Sequence, residues 1–222
     1  MLNHLHAAMH HPHRGWDPVP PDHLADYAAH AANTFDTSVV PMLEARIGSL
    51  SGKRVLDLGG GPGHYSIEFC RRGAQVVWYD VSRRYLDFAR ANARDAGVAI
   101  EFSSLGYLDD ARRRLEAEFD LVFCRVSWSY CMDDRRFAQI VYSLIKPGGA
   151  GYVECNTPDL AHPKGLRKFQ YFLNSRLWLK IGHPYPPHGR IESLFRRLPI
   201  ADICVDYSSV YIDRVLFLKT KA

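Results

Sequence analysis

The sequence predicts an α/β fold: a seven-stranded, mostly parallel sheet with helices on both faces and a helical cap at the N-terminus. Three observations predict it. From residue 53 onward, short apolar runs alternate with stretches of helical period, the rhythm of repeated strand–helix units. Runs such as Phe119 to Val126 are apolar almost throughout, as strands covered on both faces are. Glycines, prolines and cap residues stand where one rhythm gives way to the next.

The elements follow in order. Residues 1–21 read as a flexible tail, with His4, His6, His10, His11 and His13 beside Pro12, Pro18, Pro20 and Pro21. Prolines at this density break regular structure. The alanine-rich stretch from Asp22 is helical, and Pro41 starts a second helix with Met42, Leu43 and Ile47 on one face. Lys53 to Leu58 is the first strand, ending in glycines. His64 to Arg72 is a helix stopped by Gly73. Gln75 to Tyr79 is β-branched and apolar. Ser82 caps a helix that Gly97 ends. Val98 to Phe102 is a strand, Asp109 to Ala117 a helix, Phe119 to Val126 a buried strand. Asp133 to Ile145 is a helix stopped by Pro147-Gly148-Gly149, and Gly151 to Cys155 is the next strand. Lys164 to Ile181 reads as one long helix, followed by a stiff proline loop. Ile200 to Tyr207 and Val210 to Leu218 complete the sheet. Residues 22–222 are thus expected to be a single domain with a cap insertion at about 157–199.

Composition bounds the function. A net charge of +4 over 222 residues does not demand a nucleic-acid partner. The five cysteines form no C-x-x-C pair and suggest free thiols. No run approaches ~18 apolar residues, so no membrane partner is expected. With no secretory signal either, the expected location is the cytoplasm.

The chemistry sits after the first strand, in Val55-Leu56-Asp57-Leu58-Gly59-Gly60-Gly61-Pro62-Gly63. Glycines between a strand and a helix let the backbone approach a ligand closely, and the helix offers free N–H groups. The dinucleotide spacing G-x-G-x-x-G is absent, because His64 and Ser66 occupy its sixth positions. No Walker lysine is present. The second strand ends at Asp80, where a carboxylate can accept both hydroxyls of a ribose.

Val55 to Ser66 resembles the first motif of class I S-adenosylmethionine-dependent methyltransferases. Gln75 to Ala89 resembles their second motif, Phe119 to Ser127 their fourth, and Leu144 to Gly149 the turn before their fifth strand. The likeness covers about residues 50–156 and is strongest to the small-molecule branch, types 11 and 25. It implies a Rossmann-like sheet, S-adenosylmethionine as cofactor and S-adenosylhomocysteine as product. By position it implies that Gly59, Gly60, Gly61 and Gly63 border the methionine and ribose, that Asp57 supports the loop or the amino group, and that Asp80 holds the ribose. Val81 would lie on the adenine. The acidic residue usual after the third strand is missing from Ser104-Leu105-Gly106-Tyr107, so backbone of Leu105 and Gly106, or Asp109, must serve.

Methyl transfer from a sulfonium is an in-line displacement that needs alignment and exclusion of water, with a base only where the acceptor loses a proton. Arg125, at the tip of the fourth strand, is a candidate for binding an acidic group on donor or acceptor. Trp128 and Tyr130 are a candidate wall or packing for the next helix. His162, His183 and His188 are the candidate bases, since neutral imidazole titrates near working pH. No aspartate-rich metal set is visible. The reading is methylation of a small hydroxyl-bearing acceptor, such as a sugar or natural-product intermediate. RNA methylation and a non-catalytic binding module that keeps the fold stand as alternatives. A homodimer stays open.

Overall fold

The computed structural model describes residues 16–103, 106–115, 118–158 and 165–221. Two helices, α1 (Leu24–Asn33) and α2 (Val39–Ile47), precede the sheet. Then come β1 (Arg54–Leu58), α3 (His64–Arg71), β2 (Gln75–Tyr79), α4 (Arg83–Asp95), β3 (Glu101–Phe102), α5 (Ala111–Arg114), β4 (Phe119–Arg125), α6 (Asp134–Ser143) and β5 (Ile145–Asn156). The chain ends with α7 (Gly165–Leu177), α8 (Arg190–Phe195), β6 (Ile200–Ser209) and β7 (Ile212–Lys219). The strand order is β3-β2-β1-β4-β5-β7-β6. β3, β2, β1, β4 and β5 run parallel, and β7 lies antiparallel between β5 and β6. The seven strands, the helices and the cap before them match the expected α/β class.

Successive side chains of a strand face opposite ways, and the sequence supplies apolar residues for both. Leu56, Leu58, Val122 and Cys124 meet Phe137 and Val141 of α6 and Ile191 and Phe195 of α8. Val55, Leu121 and Phe123 meet Val40 and Leu43 of α2 and Tyr65 and Phe69 of α3. Phe123 stacks on Tyr152 at 5.3 Å and meets the edge of Phe69 at 5.1 Å. Truncating so enclosed a ring to alanine costs about 3–5 kcal/mol.

The order of connections reverses at β1, which has β2 on one side and β4 on the other. Sheets of this type bind ligands in the crevice outside the carboxyl ends of the strands at that point.

Several boundaries differ from expectation. Residues 16–21, assigned to the tail, pack onto the sheet's carboxyl edge, and Val19 is 4% exposed; residues 1–15 lie outside the described residues. β5 begins six residues early, because Ile145 pairs with Phe119 before a bulge. The long helix α7 ends at Leu177, where Trp178 turns into the left-handed region at φ 58°. Helix α8 lies just past the proline loop, in residues for which the sequence predicts no element. The insertion is anchored by buried charge as well as by Ile191 and Phe195 of α8. Lys180 and Arg190, both buried, reach Asp134 of α6 at 3.2 and 3.1 Å. Arg190 also donates to Asn174 Oδ1 at 2.8 Å. Burial alone would raise the Asp134 carboxyl, but Lys180 and Arg190 more than reverse it and hold it below the usual range.

Candidate active site

The residues at the reversal point close a cleft of about 270 Å³. Its floor is the glycine loop. Gly59 has φ 82°, and a Cβ there would collide with the side chain of Ser127; only glycine fits both the conformation and the space. Gly59 N–H donates to the Tyr79 carbonyl at 2.7 Å, and Ser127 Oγ donates to the Leu58 carbonyl at 3.1 Å. The Trp78 indole N–H donates to the Gly61 carbonyl at 3.1 Å. The loop is thus fixed from β2 and from β4 before any ligand arrives.

Two carboxylates face this loop. Asp57 accepts from Ser66 Oγ at 2.6 Å, and burial pushes its carboxyl up to about 7. Asp80 accepts from Gly61 N–H at 2.9 Å and Ser82 N–H at 2.8 Å. Burial pushes it up to about 6 despite those bonds. A carboxylate has about four lone-pair sites, so Asp80 keeps about two for a diol.

The segment before α1 straps the cleft. Asp17 accepts from Ser82 Oγ at 2.7 Å and from Arg84 N–H at 3.2 Å, at the N-terminus of α4. It also accepts from Val19 N–H at 2.9 Å, so Pro18 and Val19 are held as cleft wall. Trp16 stacks on Tyr107 at 5.8 Å. On the other side α1 supplies Tyr27, His30 and Ala31, and Thr34 follows at its C-terminal cap.

The predicted residues fall into three groups. Asp57, Gly59, Gly60, Gly61, Asp80, Val81 and Arg125 line the cleft together. Gly63 does not line it and instead caps α3 at φ 84°. Gly106 lies behind Tyr79, and Asp109 accepts from Met132 N–H at 2.8 Å, away from the cleft. Leu105 and His162 lie outside the described residues. The histidines do not converge on the cleft. His188 is about half exposed and pairs with buried Asp213 at 2.6 Å, apart from the lining residues. The His183 ring sits behind the wall, 4.8 Å from Tyr130, which does line it. Arg125 is committed to Glu154 at 3.0 Å and to the Thr34 carbonyl at 3.2 Å, with its plane 5.2 Å over Tyr65. Trp128 is core: it is wholly buried against Phe137 and Phe195.

Three residues that shape the site escaped the sequence: His64 and Val126 line the cleft, and Asp17 ties its wall. His64 follows the glycine loop directly, and its Nε2 is buried without a hydrogen-bond partner among the described residues. Burial holds its imidazole below the usual range. Val126 is β-branched yet has φ 59°, held by its N–H to the Glu154 carbonyl at 2.7 Å. Such a conformation stores about 1–3 kcal/mol and clusters at working sites. Asp17 had no sequence signal at all.

Residues 55–149 match the family described as a methyltransferase domain. This match covers less than half of the chain, and over it the sequence is that of a methyltransferase domain. The family's methyl donor is S-adenosylmethionine, and the cleft fits it: the cradle excludes a Cβ at Gly59, and Asp80 has lone pairs left for a diol. The domain is 34% identical over 100 residues to a ubiquinone biosynthesis O-methyltransferase of Ralstonia nicotianae, covering 45% of this chain and 42% of that one. It is 28% identical over 144 residues to the enzyme of that name from Acinetobacter baylyi, covering 59% and 60%. The chain therefore spans about half the length of the curated relatives it matches. In fold it is similar to an O-methyltransferase family protein from Burkholderia thailandensis, with TM-score 0.62, 20% identity and coverage of 90% and 60%. It is also similar to a magnesium protoporphyrin IX methyltransferase of Synechocystis solved with bound S-adenosylhomocysteine, with TM-score 0.61, 19% identity and coverage of 82% and 80%. Among the described residues no cluster fit to hold a metal ion is found, and no helix is long and apolar enough to cross a membrane.

Proposed function

We propose that the chain transfers a methyl group from S-adenosylmethionine to a hydroxyl of a small molecule. The observation that carries the reading is the meeting of the Gly59–Gly61 cradle and Asp80 in one cleft that α1 closes from the other side. The hydroxyl is favoured by the O-methyltransferase relatives. When bound, the donor supplies a methyl already activated on a sulfonium. The chain's own residues then bind, align and exclude water.

Asp80 would hold the ribose hydroxyls, Val81 and Tyr85 would lie along the base, and Asp57 would face the amino group. Tyr27, His30, Tyr65, Arg125 and Tyr130 form the acceptor side. Arg125, fixed by Glu154 and Thr34, acts there as a rigid wall with one face on Tyr65. His64 is the base in this reading, in place of His183 and His188. Its imidazole is neutral at pH 7, and an orphaned buried nitrogen needs a partner that an acceptor hydroxyl would supply.

Calorimetric titration with S-adenosylhomocysteine tests the donor half, and absence of binding at millimolar ligand would refute it. Mass spectrometry of cell extract incubated with the protein and methyl-labelled donor tests the acceptor half. A labelled product whose methyl resists acid as an ether does is expected; label on nitrogen or on RNA would overturn it.

A further inference from the structure

Helix α7 is built inside out. Its buried residue is Asn174, 0% exposed, bonded to Arg190 and to the Tyr185 carbonyl. Its solvent face carries Phe169 and Phe172, 55% and 52% exposed, with Leu166 at 70%. A helix of a water-facing surface shows the opposite arrangement. At 100° per residue Phe169, Phe172 and Arg176 share one stripe, flanked by Lys168. Arg167, Lys168 and Arg176 are exposed, and the helix contains no acidic residue.

We propose that α7 lies in the headgroup region of an anionic bilayer, with Phe169 and Phe172 entering the acyl boundary and Lys168 and Arg176 meeting lipid phosphates. Aromatic rings and basic side chains on one helical surface are the composition of interfacial helices. Thirteen residues rise about 20 Å, too short to span the roughly 30 Å hydrocarbon layer. The helix therefore lies on the membrane rather than crossing it. The expectation of no membrane partner rested on the lack of a spanning run, which does not bear on a helix in the interface plane. Charge selects the occupant. A second copy placed face to face would oppose Lys168 and Arg176 to the same two cations, which disfavours pairing through this surface. An anionic lipid surface complements them.

The test is co-sedimentation of the full chain with vesicles of phosphatidylcholine alone and with about one part in three phosphatidylglycerol. Each basic side chain near such a surface contributes about fivefold. Binding is expected to the anionic vesicles, weaker by at least tenfold on neutral vesicles and at about 0.5 M salt. Lys168→Glu with Arg176→Glu is expected to lower it by about 25-fold or more, and Phe169→Ser with Phe172→Ser by at least tenfold. Affinity for S-adenosylhomocysteine, which reads the fold and the cleft, stays unchanged in all variants. If the chain stays in the supernatant with both vesicles, the proposal fails. It fails equally if both double variants still sediment like wild type, or if light scattering shows a dimer that the phenylalanine variant dissolves.

Discussion

Removing the Asp17 carboxylate should loosen the donor site without unfolding the protein. Asp17 ties the segment at residues 16–19 to α4 through Ser82 Oγ and Arg84 N–H, and its side chain is 7% exposed. A hydrogen bond to a charged group contributes about 1.5 kcal/mol at the low end, so two give about 3 kcal/mol. The strap is also held by Trp16 on Tyr107 and by the Arg84 guanidinium on the Val19 carbonyl. Water can replace part of the lost bonding at the exposed end of α4. Half to all of the 3 kcal/mol, at tenfold per 1.4 kcal/mol, is about a 10- to 100-fold loss in affinity. We expect Asp17→Ala to weaken S-adenosylhomocysteine by that factor in calorimetry, with Asp17→Asn between it and wild type. The melting temperature should fall by about 3–12 °C with the transition still cooperative, since a chain of this size shifts about 2–4 °C per kcal/mol. A Kd within about threefold of wild type in Asp17→Ala would show that the strap does not hold the donor site. So would a loss of affinity that appears only together with a collapsed melting transition.

Three further outcomes follow from the cleft. Asp80 is raised by burial to about 6, and a diol is held by its ionised form, so affinity for S-adenosylhomocysteine should rise through about pH 6 and be roughly tenfold weaker at pH 5; Asp80→Asn should flatten that profile in calorimetry. The linked stability of the free protein runs the other way: a folded-state value above the unfolded one means stability is greatest below about pH 4 for this group and is lost as pH rises through about 6, which Asp80→Asn should abolish in melting curves. Gly59→Ala places a side chain in the left-handed region and against Ser127, so donor binding should be lost in calorimetry, with partial recovery in the Gly59→Ala, Ser127→Gly pair. His64→Gln should lower kcat by about 10²–10⁴-fold at neutral pH and much less at high pH, with the donor Kd nearly unchanged; equal loss at every pH would remove His64 as base.

Most of the sheet was legible because β1, β2 and β4 are short runs whose apolar residues serve both faces. The cradle was legible too, since Gly59 to Gly61 and Asp80 are fixed by local spacing around two strands. What stayed hidden depended on distant partners. His64 owes part of its burial to Phe35, whose ring comes within 6.2 Å from the turn between α1 and α2. Asp17 acts on Ser82 and Arg84, far along the chain, inside a stretch whose prolines read as disorder. Trp128 read equally as a cleft wall or as packing for the next helix; it is the latter, following β4 into the core, where its N–H donates to Asp134 at 3.1 Å. Helix α8 was masked by Pro184, Pro186 and Pro187; it forms just beyond them, started by Gly189 at φ 76°.

One stretch of chain, residues 16–36, touches both halves of the reversal point. Its beginning is tied to α4 on the β2 side through Asp17, and its end meets β4 and α3 through Thr34 on Arg125 and Asp36 N–H on Tyr65 Oη at 3.1 Å. Two ligands lying beneath a single strip cannot enter independently. The lower one must be seated before the strip settles to form the site for the upper one, and it leaves last. Steady-state turnover should therefore be ordered, with S-adenosylhomocysteine competing against the methyl donor and not against the acceptor.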